Sequence, residues 1–268
     1  MSYQYDFIVV GAGIAVIAIA ELLQRSGKKV LLLEAESKLA SLASSQHQSW
    51  FHTGGLYAIF PTTKIIKSLV KNLDCILHYY GDFPNMNLSK SQHISTTKID
   101  GWFGNSKTYY FYANPNEKEI PLYKKPLWSL ATQVAKSRFA WFNNIDFSKS
   151  IDSQLSGPCV NWNLNVTSSN RKFDYCFDKK PVVLISQDRS MNSTLIVDDL
   201  IKSFLLFGGR VILESKVIKI EKNKIIISDK MKHETAYHAK RFVLATGKFL
   251  GDFFCKDQIK VVKSPLLV

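Results

Sequence analysis

The residues of this 268-residue chain best suited to chemistry begin with a glycine turn, Gly11-Ala12-Gly13, and an acid, Glu34. Glycine at the first position permits a tight turn, and at the third it lets the backbone approach a pyrophosphate. The amides of Ala12 and Ile14 belong to the same turn, and a helix N-terminus behind it favours negative charge. Glu34, with Ala35 beside it, stands about twenty residues beyond the turn, where a carboxylate can accept hydrogen bonds from a ribose. A second group follows: Ser44, Ser45, His47, His52, Gly54 and Gly55. Serine hydroxyls can donate to phosphate oxygens, and a double glycine lets the chain turn close to a flat ligand. Val16 stands where the third glycine of a G-x-G-x-x-G pattern would be.

The elements that must position these residues can be read around them. Tyr5 to Val10 is an apolar, β-branched run of strand length, and the segment after Gly13 has helical spacing until Gly27. Lys29 to Leu33 is a second strand closed by Glu34. Strand, glycine turn, helix, strand and acid, in that order, specify a dinucleotide-binding βαβ unit. Val16 is expected to crowd helix against strand, with Ala12, Ala15, Ala18 and Ala20 absorbing part of its volume. A spanning helix is not expected here, because Asp6 and Glu21 bracket a run shorter than the roughly 18–20 residues such a helix needs. A signal peptide does not fit, since no basic residue precedes the apolar run.

Composition sets wider bounds. Hydrophobic content of 46% and charged content of 21% are those of an ordinary globular protein, large enough for one large or two modest domains. The net charge of +13 suits an anionic partner, but the lysines are dispersed, as on a solvated surface. Cys75, Cys159, Cys176 and Cys255 form no CxxC pair, so neither a metal site nor a disulfide framework is expected. Reduced thiols point to a cytoplasmic protein.

Further along, Phe60 to Leu77 reads as a helix with Ile65, Ile66, Leu69, Val70 and Leu73 on one face. Lys107 to Pro115 reads as an aromatic strand, its tyrosines serving as core, pocket wall or stacking platform. A helix is expected over Lys124 to Phe139, and Ile145 to Pro181 reads as part of a β-rich cap with long loops. Regular structure resumes with a strand at Pro181 to Ile185. A helix from Ser193 to Phe207 follows, with Ser193 or Thr194 as N-cap and Gly208-Gly209 as its stop. Three strands come next, Arg210 to Glu214, Lys216 to Glu221 and Lys224 to Ser228. The last apolar strand ends in Ala245-Thr246-Gly247.

The segment SSQHQSWFHTGGLYA, Ser44 to Ala58, resembles the flavin-contacting stretch of FAD-dependent oxidoreductases of the D-amino-acid oxidase superfamily. Within it, the likeness is to the glycerol-3-phosphate and L-2-hydroxyglutarate dehydrogenase branch. The resemblance implies an FAD cofactor, with Ser44 and Ser45 near its phosphates and the stretch from His47 through Gly54 and Gly55 beside its ring. It makes His52 the candidate catalytic base or flavin-side hydrogen-bond partner. It also implies that Val217 clamps the adenine by its backbone and that Ala245-Thr246-Gly247 returns the chain to FAD. Members of that family continue well beyond Val268.

The expected fold is therefore α/β: a Rossmann-like FAD-binding domain with a parallel sheet and β-meander, plus an inserted β-rich substrate or cap domain, incomplete. The expected division is 1–77 with 182–255 for FAD, and 78–181 with 256–268 for the partial cap. The expected function is hydride transfer to FAD from a small anionic substrate such as a 2-hydroxy acid or amino acid. One alternative is a truncated, inactive FAD-binding fragment, which a complementing chain could complete. Another is a flavin-dependent tRNA-modifying module, for which +13 would suit a nucleic-acid partner. No integral membrane segment is expected.

Overall fold

The computed structural model describes residues 4–46, 49–52, 63–88, 100–105, 108–112, 149, 182–186 and 188–253. In chain order the strands and helices are β1 (Tyr5–Val10), α1 (Ile14–Arg25), β2 (Val30–Leu33), α2 (Ala43–Gln46), β3 (Trp50–Phe51) and α3 (Thr63–Tyr79). Then come β4 (Thr108–Tyr112), β5 (Val182–Ser186), β6 (Arg189–Ser190), α4 (Ser193–Leu206) and β7 (Arg210–Ile212). The last are β8 (Lys216–Glu221), β9 (Lys224–Ser228), β10 (Glu234–Leu244) and a 3-10 helix, Gly247–Asp252. They divide into two compact units, residues 1–49 with 193–268, and residues 50–192.

The first unit is built on a six-stranded sheet in the order β7-β2-β1-β10-β9-β8. The four strands β7, β2, β1 and β10 run parallel. β2 is buried along its whole length, as are Ile8, Val9 and Val10 of β1, because a parallel sheet is covered on both faces. β10 does two jobs. Its first half pairs antiparallel with β9, and its second half, from Ala239 to Leu244, pairs parallel with β1. The strand after Gly209 ends at Ile212 rather than continuing to Glu214, because Glu214 turns into the left-handed region at φ 55°.

Helices α1 and α4 bury Val16, Ile17, Ala20, Ile196, Val197, Leu200 and Phe204. A separate apolar cluster joins Tyr5, Ile8, Val10, Leu31 and Leu33 of the parallel strands to Val217, Ile225 and Ile227 of the meander. Two buried polar side chains tie the helices together. Gln24 donates to the Phe207 carbonyl at 2.8 Å and accepts from the Val30 amide at 2.9 Å. Glu21 is fully buried, paired with Arg25 Nε at 2.9 Å and accepting from Ser203 Oγ at 2.8 Å.

Val16 is buried, and α1 starts normally with the Val16 and Ile17 amides donating to the Gly13 carbonyl at 2.9 and 3.0 Å. Ala12 and Ala20 are buried and can make room for it, whereas Ala15 is exposed and takes no part.

The second unit holds α3, the two-stranded ribbons β3–β6 and β4–β5, and an aromatic core. Tyr80, Phe83 and Trp102 pack edge-on or tilted with centroids 5.2–5.6 Å apart. The buried Asn87 fixes the adjoining loop by donating to the Phe103 carbonyl and accepting its amide. The helix expected from Phe60 is α3, and β4 with β5 realises the aromatic strand and the apolar strand at Pro181. The helix expected at Lys124 to Phe139 and nearly all of the cap at Ile145 to Pro181 lie outside the described residues. Among the described residues, no helix is long and apolar enough to cross a membrane, and no cluster of His, Cys, Asp and Glu could hold a metal ion.

Candidate dinucleotide site

In the first unit, three chain segments meet where the parallel strands end. The Gly11 amide donates to the Leu33 carbonyl at 2.8 Å, and the Ala245 amide donates to the Val10 carbonyl at 3.0 Å. Gly11 has φ 103°, and a Cβ placed on it would lie 2.6 Å from the Ala245 oxygen. Only glycine fits there on both counts.

Gly13 precedes α1 in an extended conformation. The amide of Ile14, one of the donors a helix start leaves without a partner, is accepted by Ser44 Oγ at 3.0 Å. A Cβ on Gly13 would sit 3.4 Å from that hydroxyl, at ordinary van der Waals contact. Having accepted the amide, the hydroxyl keeps its own proton to donate. Ala40, at φ 51°, donates to the Ala12 carbonyl at 2.8 Å and holds the loop beyond Glu34 against the turn. Ser45 behaves differently: it is exposed, and its hydroxyl donates to the Leu42 carbonyl within its own turn.

Glu34 lies at the end of β2. Its amide donates to the Ile212 carbonyl, its carbonyl accepts from Ser215, and its Oε1 accepts the Glu36 amide, each at 2.9 Å. Ala35, next in the chain, is exposed. Val217 follows two residues after Ser215 on β8, the edge strand. Its side chain is buried in the core, and the register slips between Val217 and Lys219. A bulge of this kind takes backbone groups off the ladder. Thr246 and Gly247 open the 3-10 helix, with Gly247 at φ 56°. Thr246 Oγ1 is buried and has no hydrogen-bond partner among the described residues.

The second unit holds His52. β3 and β6 are antiparallel, with Trp50 opposite Ser190 and Phe51 opposite Arg189, so the next rung sets His52 opposite Asp188. His52 Nδ1 lies 3.0 Å from Asp188 Oδ2, with Asp188 fully buried and the imidazole one-third exposed. Arg189 Nη1 donates to the Asp188 carbonyl at 3.2 Å. Burial lowers the Arg189 pKa, and the Asp188 charge works against that shift. Asp188 carries no sequence signal as a partner, since 136 positions separate it from His52. His47, Gly54 and Gly55 lie outside the described residues. Of the residues expected from sequence, Gly11, Gly13, Ile14, Ser44 and Ala245 are thus joined by direct contacts, and Glu34 by its neighbour Leu33.

Known proteins agree on the fold. Residues 9–73 match the family described as NAD(P)-binding Rossmann-like domain. The chain is similar to the solved structure of L-α-glycerophosphate oxidase from Mycoplasma pneumoniae with FAD bound. That match has 15% identity and TM-score 0.55, over 94% of this chain and 56% of the other. It is similar to glycine oxidase from Geobacillus kaustophilus at 12% identity and TM-score 0.56, over 93% and 57% of the two chains. It is also similar to L-proline dehydrogenase from P. horikoshii at 11% identity and TM-score 0.53, over 93% and 54%. The chain therefore spans a little over half the length of these structures. No curated protein matches it. At these identities the likeness establishes the fold: a Rossmann-like α/β sheet extended by a β-meander, shared with FAD-bound and related oxidoreductases.

Proposed function

We propose that this chain is the FAD-binding part of an oxidoreductase that passes a hydride from a small anionic substrate, such as a 2-hydroxy acid or an amino acid, to FAD. One observation carries the reading: beside the Gly11–Gly13 turn and Ser44, the buried Thr246 hydroxyl has no hydrogen-bond partner among the described residues. Gly11 leaves no room for a side chain there. A buried hydroxyl left unsatisfied costs free energy that a ligand's acceptor would recover.

The residues present fit a dinucleotide. The start of α1 and the Ser44 proton would hold the pyrophosphate. The second carboxylate oxygen of Glu34 would accept from a ribose hydroxyl, and the same negative charge would repel a 2′-phosphate. The bulge after Val217 would offer backbone to the adenine. FAD is favoured over NAD by the likeness to the glycerophosphate oxidase structure, which holds FAD. Bound FAD would supply the hydride-accepting ring, and the protein would supply orientation and electrostatics. The other named neighbours are an oxidase of glycine and a dehydrogenase of proline, which supports a small acid as substrate. His52 is the candidate proton acceptor.

A second reading is an FAD-binding fold that is inactive without further chain, favoured by the 56% coverage of the glycerophosphate oxidase. Purifying the full chain and measuring retained cofactor by absorbance and mass spectrometry tests the proposal. Near-stoichiometric FAD whose visible band bleaches on anaerobic addition of glycerol phosphate, glycine or proline is expected. FAD that stays oxidised with all small acids tried supports the second reading. A chain that takes up NAD and not FAD overturns both.

A further inference from the structure

We propose that Asp188 is a positioning residue for His52: its buried carboxylate fixes the imidazole with the proton on Nδ1, leaving Nε2 as the basic nitrogen. The ladder places the pair. Side chains alternate along a strand, so His52 and Asp188 share one face of the β3–β6 ribbon and Phe51 and Arg189 the other. The Phe51 side is anchored, for Phe51 is buried and its ring lies 4.7 Å from that of Phe103. With Phe51 packed on that side, the register sets His52 directly across from Asp188.

The chemistry follows from the inventory of the two groups. An ionised carboxylate only accepts hydrogen bonds, so a bond at 3.0 Å requires the proton on Nδ1. The bond made by one ring nitrogen decides the state of the other. The asymmetry of burial adds to this: a partly exposed imidazole needs no buried acid to be soluble, whereas a fully buried carboxylate needs a donor. Arg189 steadies the turn from the far face through the Asp188 carbonyl. The arrangement fixes a tautomer and an orientation in advance.

The role of this base rests on the oxidoreductase reading. On that reading Nε2 would take the proton of a substrate O–H or N–H, and FAD, when bound, would supply the acceptor for the hydride that leaves the adjoining carbon as a C=O or C=N bond forms.

The tautomer can be tested without cofactor. Long-range 1H–15N NMR on the full chain, with the His52 signal assigned by its loss in His52→Gln, should show neutral His52 protonated on Nδ1. Asp188→Asn should shift it toward the Nε2-protonated form, because an amide can donate where the carboxylate could only accept. In FAD-loaded protein, the same substitution should slow flavin reduction on the order of a hundredfold. The substrate concentration for half-maximal rate should change little. Wild-type His52 protonated on Nε2 would overturn the proposal, even if Asp188→Asn does not fold. So would an Asp188→Asn protein with unchanged tautomer and rate. Failure to bind FAD would sink the functional reading and leave the tautomer result standing.

Discussion

Replacing Gly11 with alanine isolates the close approach at the Gly11–Gly13 turn. Two costs add. At φ 103° an L-residue is strained by about 1–2 kcal/mol. The new Cβ would also lie 2.6 Å from the Ala245 oxygen and 3.2 Å from its carbonyl carbon. That oxygen is backbone, and the Ala245 amide is tied to the Val10 carbonyl, so relief requires parting β1 from β10 where they end. Overpacking of this kind typically costs about 1–3 kcal/mol. The expected loss is thus about 2–5 kcal/mol, with FAD affinity falling at least about tenfold as the turn moves. Gly27 supplies the control: its φ is 79°, but a Cβ there would meet nothing within 4 Å. Gly27→Ala should therefore cost about 1–2 kcal/mol from backbone strain alone and leave FAD affinity unchanged. Urea denaturation and fluorescence titration with FAD, run on both variants, give the comparison. If Gly11→Ala is no less stable than Gly27→Ala and binds FAD as wild type does, the reasoning fails.

Two further substitutions probe the same unit. Ser44→Ala removes the acceptor of the Ile14 amide and should cost about 1 kcal/mol, by analogy with a lost helix cap, and weaken FAD binding severalfold; equal affinity on calorimetric titration would separate Ser44 from the phosphate site. Asp6 accepts from Lys240 Nζ at 2.6 Å and from the Lys29 amide at 2.9 Å, and its pKa is held below the ordinary carboxylate value first by Lys240 and then by Lys29. A depressed folded pKa contributes stability above the unfolded value and loses it as pH falls through the folded value. Asp6→Asn should therefore lower the urea midpoint at neutral pH, with the gap to wild type closing as pH falls through and below the ordinary carboxylate range; a gap constant with pH would contradict the assignment.

How much was legible in the sequence depends on distance along the chain. The β1–turn–α1–β2–Glu34 unit and the meander are written in local apolar period and glycine punctuation, so they could be read directly. Ser44 could be placed near the turn, but not its bond to the Ile14 amide, which depends on how the loop after Glu34 folds back through Ala40 and Ala12. Glu21 reads as a polar bracket to an apolar run. The fold buries it because Arg25, one helical turn on, and Ser203, on another helix, satisfy its carboxylate. Asp188 was invisible for the same reason: a cross-strand rung pairs residues that sequence keeps far apart. Val16 shows the converse: a glycine rule flags it as out of place, yet it is buried in a helix that starts with its amide bonded to the Gly13 carbonyl.

Hydrogen exchange of the full chain with and without added FAD tests most directly whether the Gly11–Gly13 turn and its neighbours hold the cofactor. The account predicts saturable binding, with slowed exchange confined in the first unit to the backbone around Gly11 to Val16, Ser44, Val217 and Thr246 to Phe249. Saturable binding that leaves those amides unprotected, or no binding of FAD at any concentration, would contradict it.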